Sequence, residues 1–459
     1  MNRKPHGRDK SPDRDALNPR RIAAAVLHRV LDEGAYSHLA LDAALAATQG
    51  ALAPRDRALA TELVYGALTW LGRIDAILGL FVRGGLDRVD PDVRAILRAA
   101  IYQVDGLDRI PDHAAVDEAV EHARALRCGK ALPGFVNGVL RGALRARARW
   151  PQPAPPQEGR ARHLAERWSM PLWMAERLID QFGWDDALAQ AEAFARRPGL
   201  TLRATGALDP AERAAMAAAL GGQVTAISPD GLRLPTLTAA AQAAIDEGRA
   251  LVQDEAAQLV SHLAAPKAGE RALDACAGLG GKAAHLAALG GPSLRLTVGD
   301  THAQKLDVLG RRFDLLGLLA PQRAHGDLRD AATLEGPFDL IVLDAPCSGL
   351  GVMRRHPEIR WRRQPEEIAT LAALQASLLD RAVELLAPGG RLVYSVCTFT
   401  PEEGEGQLEA ALSRHPGLEI DRPEGGADWG ALTRTPLGWL SMPSPQQTDG
   451  FYMARARRA

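Results

Sequence analysis

Apolar residues recur at intervals of three and four from Arg20 to about Arg147, in IAAAVLHRVL, ALATELVYGALTWL, VRAILRAAIYQV and FVNGVLRGAL. That spacing lines one face of each helix with core-seeking side chains. Period-two alternation is scarce, so the stretch over 19–149 predicts an all-α bundle. The string PQPAPPQEGR at 151–160 cannot continue a helix and predicts a stiff linker over 150–163. Helical patterns around Leu164 to Phe194 follow, then LTLRAT, GQVTAIS and GLRLPT, which read as short strands between turns. Together they predict a small α/β module over 164–265.

The texture changes again near Gly269. RALDAC, LRLTVGD, FDLIVLD and GGRLVYSVC are short apolar strands, and KAAHLAAL, AQKLDVLGRRFDLL and a long run ending in LLAP are amphipathic helices between them. This βαβα alternation predicts an α/β, Rossmann-like, doubly wound sheet over 266–459, in which ligands bind at the carboxyl ends of the strands. The residues just after LDAC, VGD, VLD and YSVC therefore become the candidates for chemistry.

Composition narrows the classes. The chain has 459 residues, 46% apolar and 24% charged, and no apolar run near the roughly 20 residues that cross a bilayer. Its charged, Pro- and Gly-containing start predicts a disordered tail over 1–18 and no secretory signal, hence a cytoplasmic protein with reduced thiols. The four cysteines, at 128, 276, 347 and 397, show no Cys-x-x-Cys spacing, which argues against a zinc site or a disulfide framework. A formal net charge of −1 does not mark a nucleic-acid binder, so that case rests on local clusters: the tail, Arg141 to Arg149, and Arg354 to Arg363.

The loop Cys276-Ala277-Gly278-Leu279-Gly280-Gly281-Lys282 joins the first of these strands to a helix. Its glycines let the backbone approach a ligand at a helix N-terminus. It matches neither Gly-x-Gly-x-x-Gly nor a P-loop. Roughly twenty residues on, Asp300 ends the next strand where a carboxylate can accept ribose hydroxyls, and Asp327 ends a third strand-like stretch within reach of an adenine amino group. Lys282 stands out in a chain that otherwise favours Arg, as if a compact ammonium were required. Asp344-Ala-Pro-Cys347 and Tyr394-Ser-Val-Cys397 place two cysteines at strand ends facing one crevice. A lone buried cysteine is usually a small hydrophobe, but a facing pair points to thiol chemistry.

These motifs as a set, Cys-Ala-x-x-Gly-Gly-Lys, Asp-Ala-Pro-Cys-Ser-Gly and the cysteine pair, resemble the Nop/Sun family of RNA cytosine-C5 methyltransferases. GVMRRHPEIRW at 351–361 and LVQDEAAQLV at 251–260 resemble the bacterial RsmB (Sun) subgroup, while HAAVDEAVEHAR and GFVNGVLRGALR resemble the NusB-like RNA-binding domain found at its N-terminus. The resemblance reaches all but the tail. It implies S-adenosyl-L-methionine as methyl donor, a cytosine of small-subunit (16S) ribosomal RNA as target, and Cys397 as nucleophile. It further implies that Cys347 assists adduct breakdown, that Asp344 and Lys282 act beside them, and that residues 276–282 with Asp300, Asp327 and Asp344 bind the cofactor. The middle module corresponds to the small domain that the family places before its catalytic sheet. The chain departs from the usual Ala-Pro-Gly-Gly-Lys loop in having Gly278-Leu279, which removes a proline that pre-sets the turn. Val396 stands where the family commonly has Thr.

Two other readings stay open at this point. DNA cytosine methyltransferases use the Cys of a Pro-Cys motif, which would make Cys347 the nucleophile, and a NusB-like domain also suits a non-catalytic RNA-binding or ribosome assembly factor. A cytosine in another RNA is a third target. For RNA contact, Arg354, Arg355, Arg360, Arg141 and Arg145 are expected along the backbone path, with Trp361 stacking on a base. No metal and a monomeric protein are expected.

Overall fold

A computed structural model describes residues 17–126, 129–330, 332, 334–423 and 425–459. All but the last two residues of the expected disordered tail, and Cys128, lie outside them. The described residues form two compact units, one within 17–195 together with 356–362, the other within 196–355 together with 363–459.

In the first unit seven helices run from Pro19–Leu31 to Leu132–Arg145. Proline opens those at Pro19, Pro54 and Pro91, where the missing N–H is not needed, and Asn18 and Asp90 cap the first and third of these through backbone N–H groups. The apolar stripes read from the sequence meet in one core, with Leu27, Leu63, Leu68, Ile74, Ile77 and Ile101 fully buried. Trp150, just past the last of these helices, folds back and donates its indole N–H to the Ala143 carbonyl at 3.0 Å. Helices Arg160–Trp168 and Leu172–Ala195, the second interrupted at Gly183 (φ 75°), also belong to this unit. The sequence reading groups 164–195 with the small module; their packing places them with the bundle instead.

The segment 356–362 is a matched set of charges for helix ends. Glu358, 1% exposed, accepts from the Ser37 backbone N–H (3.0 Å) and hydroxyl (2.8 Å) at the start of helix Ser37–Ala47. Arg360, fully buried, donates to the carbonyls of Trp168 and Ser169 (both 3.2 Å), Phe194 and, at 3.5 Å, Thr69. Those oxygens close helices Arg160–Trp168, Leu172–Ala195 and Pro54–Thr69. Trp361 donates to Leu68 O at 2.6 Å, and Arg362 to Val30 O at 2.7 Å and to Ala35 O. A carboxylate at a helix N-terminus and donors at C-termini each face the favourable end of the macrodipole and satisfy orphan backbone groups.

The second unit opens with the small module: β1 (Leu200–Ala204), β2 (Gln223–Val224), β3 (Gly231–Leu234) and β4 (Ala250–Val252) in the order β2-β3-β1-β4, all antiparallel. Leu202, Leu232 and Leu234 bury one face against helices Pro210–Ala219 and Ala239–Asp246. The catalytic sheet follows, with β5 (Arg271–Asp274), β6 (Arg295–Asp300), β7 (Gln322–His325), β8 (Phe338–Asp344), β9 (Leu386–Val396), β10 (Leu418–Ile420), β11 (Thr433–Arg434), β12 (Trp439–Ser441) and β13 (Phe451–Arg458). Its order is β11-β12-β13-β9-β8-β5-β6-β7, with β10 on β13. Strands β7, β6, β5, β8 and β9 are parallel and β13 runs against β9. The chain leaves β5 for β6 on one side and returns to β8 on the other. That switch point opens a crevice at the carboxyl ends of β5 and β8.

Candidate active site

Four parallel strands deliver the site residues to that crevice. β5 ends in Asp274 and continues into the Gly-rich loop, where Gly278 (φ 54°) and Gly280 (φ 82°) take left-handed conformations. A side chain at Gly280 would also lie 2.4 Å from Leu309 Cγ, so only glycine lets helix Gly281–Gly290 start there. The Gly278 N–H donates to Asp300 Oδ2 at 3.0 Å, and the His302 N–H to Asp300 Oδ1 at 2.8 Å. The end of β6 therefore fixes the loop, doing part of what a proline would.

At the centre, Lys282 Nζ lies 2.6 Å from Asp344 Oδ2, at the end of β8, and the Ser395 hydroxyl donates to Asp344 Oδ1 at 2.8 Å. Burial opposes the charge on Lys282, but Asp344 outweighs it and the ammonium is held above its usual pKa. Lys282 also sits over the Phe451 ring at 5.4 Å. Asp274, buried below, has no hydrogen-bonding side-chain partner for either oxygen. Burial raises its pKa to about 7 against the pull of Lys282, with Asp344 and Asp300 adding to the rise. The Cys276 thiol is raised strongly by burial and then by these carboxylates, so it is a neutral lining group rather than a nucleophile.

The two cysteines meet: Cys347 Sγ is 3.2 Å from Cys397 Sγ. Cys347 is pushed well above the ordinary thiol range by that contact first and by burial second, which holds it as a thiol. The backbone supports the arrangement, with Gly351 N–H on Cys397 O (3.0 Å) and Ala345 N–H on Ser395 O (2.9 Å).

Of the sequence-predicted residues, Cys276 to Lys282, Asp300, Asp344, Cys347 and Cys397 are brought to one strand edge. Asp327 lies beyond β7 with both carboxylate oxygens held by Arg329, at 3.0 Å from Nε and 2.5 Å from Nη2. The side chains expected on an RNA path along 354–361 have partners inside the protein. Arg354 and Arg355 form a closed network with Asp254 and Asp449: Arg354 Nε to Asp449 Oδ1 at 2.7 Å, Arg355 Nε to Asp449 Oδ2 at 2.6 Å, and Arg355 Nη2 to Asp254 Oδ2 at 2.7 Å. Asp254 in turn caps helix Glu255–Ala264. Arg360 and Trp361 are spent on helix carbonyls, as described above. Arg141 and Arg145 remain exposed on helix Leu132–Arg145.

Sequence reading misses Ser395, Asp274 and Glu403. Ser395 follows from strand alternation two positions before Cys397. Glu403, in Thr-Pro-Glu-Glu, is fully buried and accepts from the Ser348 N–H at 2.7 Å and the Thr400 hydroxyl at 2.8 Å. No local pattern marks it.

Residues 261–457 match the family model described as 16S rRNA methyltransferase RsmB/F, and residues 17–145 match the NusB family. The probable ribosomal RNA small subunit methyltransferase B of Bacillus subtilis is 36% identical over 407 residues, covering 88% of this chain and 90% of that protein. The ribosomal RNA small subunit methyltransferase B of Shewanella oneidensis is 34% identical, covering 96% of this chain and all of its own (100%). Among solved structures, a methyltransferase homolog protein from Pyrococcus horikoshii aligns with a TM-score of 0.55 at 24% identity over 64% of this chain and 98% of its own, a likeness of fold. Two domain matches in the expected order, with relatives collinear over nearly their whole length, lead to one assignment: the chain belongs to the RsmB/F family of RNA methyltransferases.

Proposed function

We propose that this RNA methyltransferase methylates carbon 5 of a cytosine in small-subunit ribosomal RNA, with S-adenosyl-L-methionine as donor and Cys397 as covalent nucleophile. The observation that carries the reading is the 3.2 Å pairing of Cys397 with Cys347 beside the Lys282–Asp344 ion pair.

The crevice fits the cofactor. The Cβ-free turn at Gly278 and Gly280 leaves backbone room, the helix that begins at Gly281 offers free N–H groups to a carboxylate, and Asp300 keeps lone pairs for ribose hydroxyls after taking two N–H bonds. Asp327, now held by Arg329, would accept an adenine amino group once Arg329 shares it. The bound cofactor supplies an electrophilic methyl group on a sulfonium.

Cytosine carbon 5 is a weak nucleophile. Attack of the Cys397 thiolate on carbon 6 forms a C–S bond and pushes the ring electrons toward carbon 5, which then takes the methyl group. Asp344 and Lys282 are in place to hold the flipped-out base at its polar edge while that charge develops. In the closing step a base removes the proton on carbon 5, the C–H pair restores the ring double bond, the C–S bond breaks and Cys397 leaves as thiolate. Cys347, in contact with the nucleophile, mediates that proton transfer.

The upward shift of the Cys347 thiol, from the Cys397 contact and burial, argues against Cys347 as the nucleophile of the Pro-Cys alternative. In this reading the NusB-like unit supplies RNA contact through Arg141 and Arg145, one chain suffices for the reaction, and a ribosomal RNA substrate places it in the cytoplasm.

Bisulfite sequencing of small-subunit ribosomal RNA, incubated with donor and protein, tests this directly. Native protein should leave one cytosine protected, Cys397→Ala should leave none and form no covalent adduct, and an adduct that persisted in Cys397→Ala would overturn the assignment.

A further inference from the structure

We infer that Glu403 is a positioning residue for breakdown of the covalent intermediate: its buried carboxylate sets the Pro346–Ser348 loop so that Cys347 faces Cys397. The inference rests on the reading that Cys347 serves that step.

Among the described residues the Cys347 side chain makes no hydrogen bond other than its contact with Cys397, so its neighbours decide where its sulfur lies. Both neighbours lead to Glu403. On one side, the Ser348 N–H donates to Glu403 Oε1 at 2.7 Å and the Ser348 hydroxyl to Oε2 at 2.5 Å. On the other, Gln375 Nε2 bridges Pro346 O (2.9 Å) and Glu403 Oε1 (3.1 Å). The same carboxylate holds the segment after Cys397: Thr400 donates to Oε2 at 2.8 Å, and the Thr398 hydroxyl pairs with Ser348 Oγ at 3.0 Å. Tyr394, on β9, donates to the Glu403 carbonyl at 2.5 Å. One side chain therefore fastens both cysteine-bearing segments, through Ser348 and Pro346 on one and Thr400 and Thr398 on the other.

Its chemistry suits that task. A carboxylate offers about four lone-pair directions and no donor, and here four donors converge on it, a backbone N–H, an amide and two hydroxyls. No cation pairs with it among the described residues, so the charge is kept in the interior by hydrogen bonds alone, which is costly for a group that serves only to fill space. Its negative charge also adds to the rise of the Cys347 pKa, after the Cys397 contact and burial. Glu403 touches neither sulfur, which is why it acts by position.

The test follows covalent protein–RNA adduct on denaturing gels together with single-turnover methyl transfer, using the full chain, donor and small-subunit ribosomal RNA. Cys347→Ala should accumulate adduct, and Glu403→Ala should do the same, with the first methyl transfer within roughly tenfold of native and steady turnover down roughly a hundredfold. Glu403→Gln keeps an acceptor for the Ser348 N–H while the hydroxyls reorient, so it should recover most of the turnover. The double variant should be no slower than Cys347→Ala, since both act on one step. Ser348→Ala, a milder change, should accumulate adduct partially and keeps the test usable if Glu403→Ala fails to fold. Adduct in Cys347→Ala with none in a folded Glu403→Ala, or native turnover in Ser348→Ala when Glu403→Ala does not fold, overturns the inference. If Cys347→Ala itself accumulates nothing, the reading of Cys347 falls, and the inference falls with it.

Discussion

Asp274 shows how one residue under a site can govern stability without touching substrate. Its folded pKa, raised to about 7 chiefly by burial, lies above its unfolded value of 3.8. The folded state thus binds the proton more tightly, and the sign follows. The neutral acid costs nothing below pH 4, the penalty grows as pH rises through the window to 7, and it is constant above. At order of magnitude this is a few kcal/mol. Asp274→Asn, neutral at every pH, should therefore melt close to native protein near pH 4 and above it at pH 8, and a difference that stayed the same at both values would refute the account. At this scale the sequence is legible where a residue's role is set by its place on a strand. Asp300, Asp344 and Cys397 are readable because each ends an apolar run at the edge where a doubly wound sheet binds ligands. Alternation along β9 marks Ser395, two positions before Cys397, but not its partner Asp344, while Asp274, at the end of β5, acts by failing to pair with side chains on other strands, and no local pattern marks that.

Elements are where the basic string 354–363 changes meaning. A run of arginines reads equally as a solvated face, a phosphate path or a set of interior donors, because the acceptors that decide between these lie elsewhere in the chain. Here they are the carbonyl ends of helices and two aspartates, Asp254 and Asp449, remote in sequence from the arginines they bind. Arg360 makes the case most sharply. Burial lowers its pKa to about 10, yet its planar fork still reaches the ends of three helices. Arg360→Leu leaves those carbonyls without donors and should destabilise the first unit by about 3–5 kcal/mol, an amount typical of breaking a buried charged network. Arg360→Lys should rescue little, since a point charge cannot serve acceptors spread over three helices. Hydrogen exchange should show the loss in the last turns of helices Pro54–Thr69, Arg160–Trp168 and Leu172–Ala195. An unchanged exchange pattern combined with weakened RNA binding would restore the role expected from sequence.

On the scale of the whole molecule, both main architectures are readable from periodicity alone, because a three-to-four repeat and a strand–helix alternation bury different surfaces. The assignment of 160–195 is not, since a helical stripe says that a helix needs a partner but not which one. Charge behaves the same way. A net charge of −1 gives the protein no long-range pull on RNA, so attraction has to come from local patches. The described arginines divide sharply on this point: those of 354–362 are largely committed to carboxylates and carbonyls, whereas Arg141 and Arg145 stand one helical turn apart on an exposed face, Arg141 touching only Asn137 (2.7 Å) and, at 4.0 Å, Asp117. Phosphate contact there should make RNA affinity fall steeply with salt. Each neutralised phosphate contributes about 0.7 to 0.9 to the slope of log affinity against log salt, so the double variant Arg141→Ala/Arg145→Ala should flatten that slope by about 1.5. Melting temperature and cofactor binding should stay at native values, because neither arginine supports the core or the crevice. The same slope in the native protein and the double variant would mean that RNA is held by another surface, and the exposed arginine at 149 would be the next to replace.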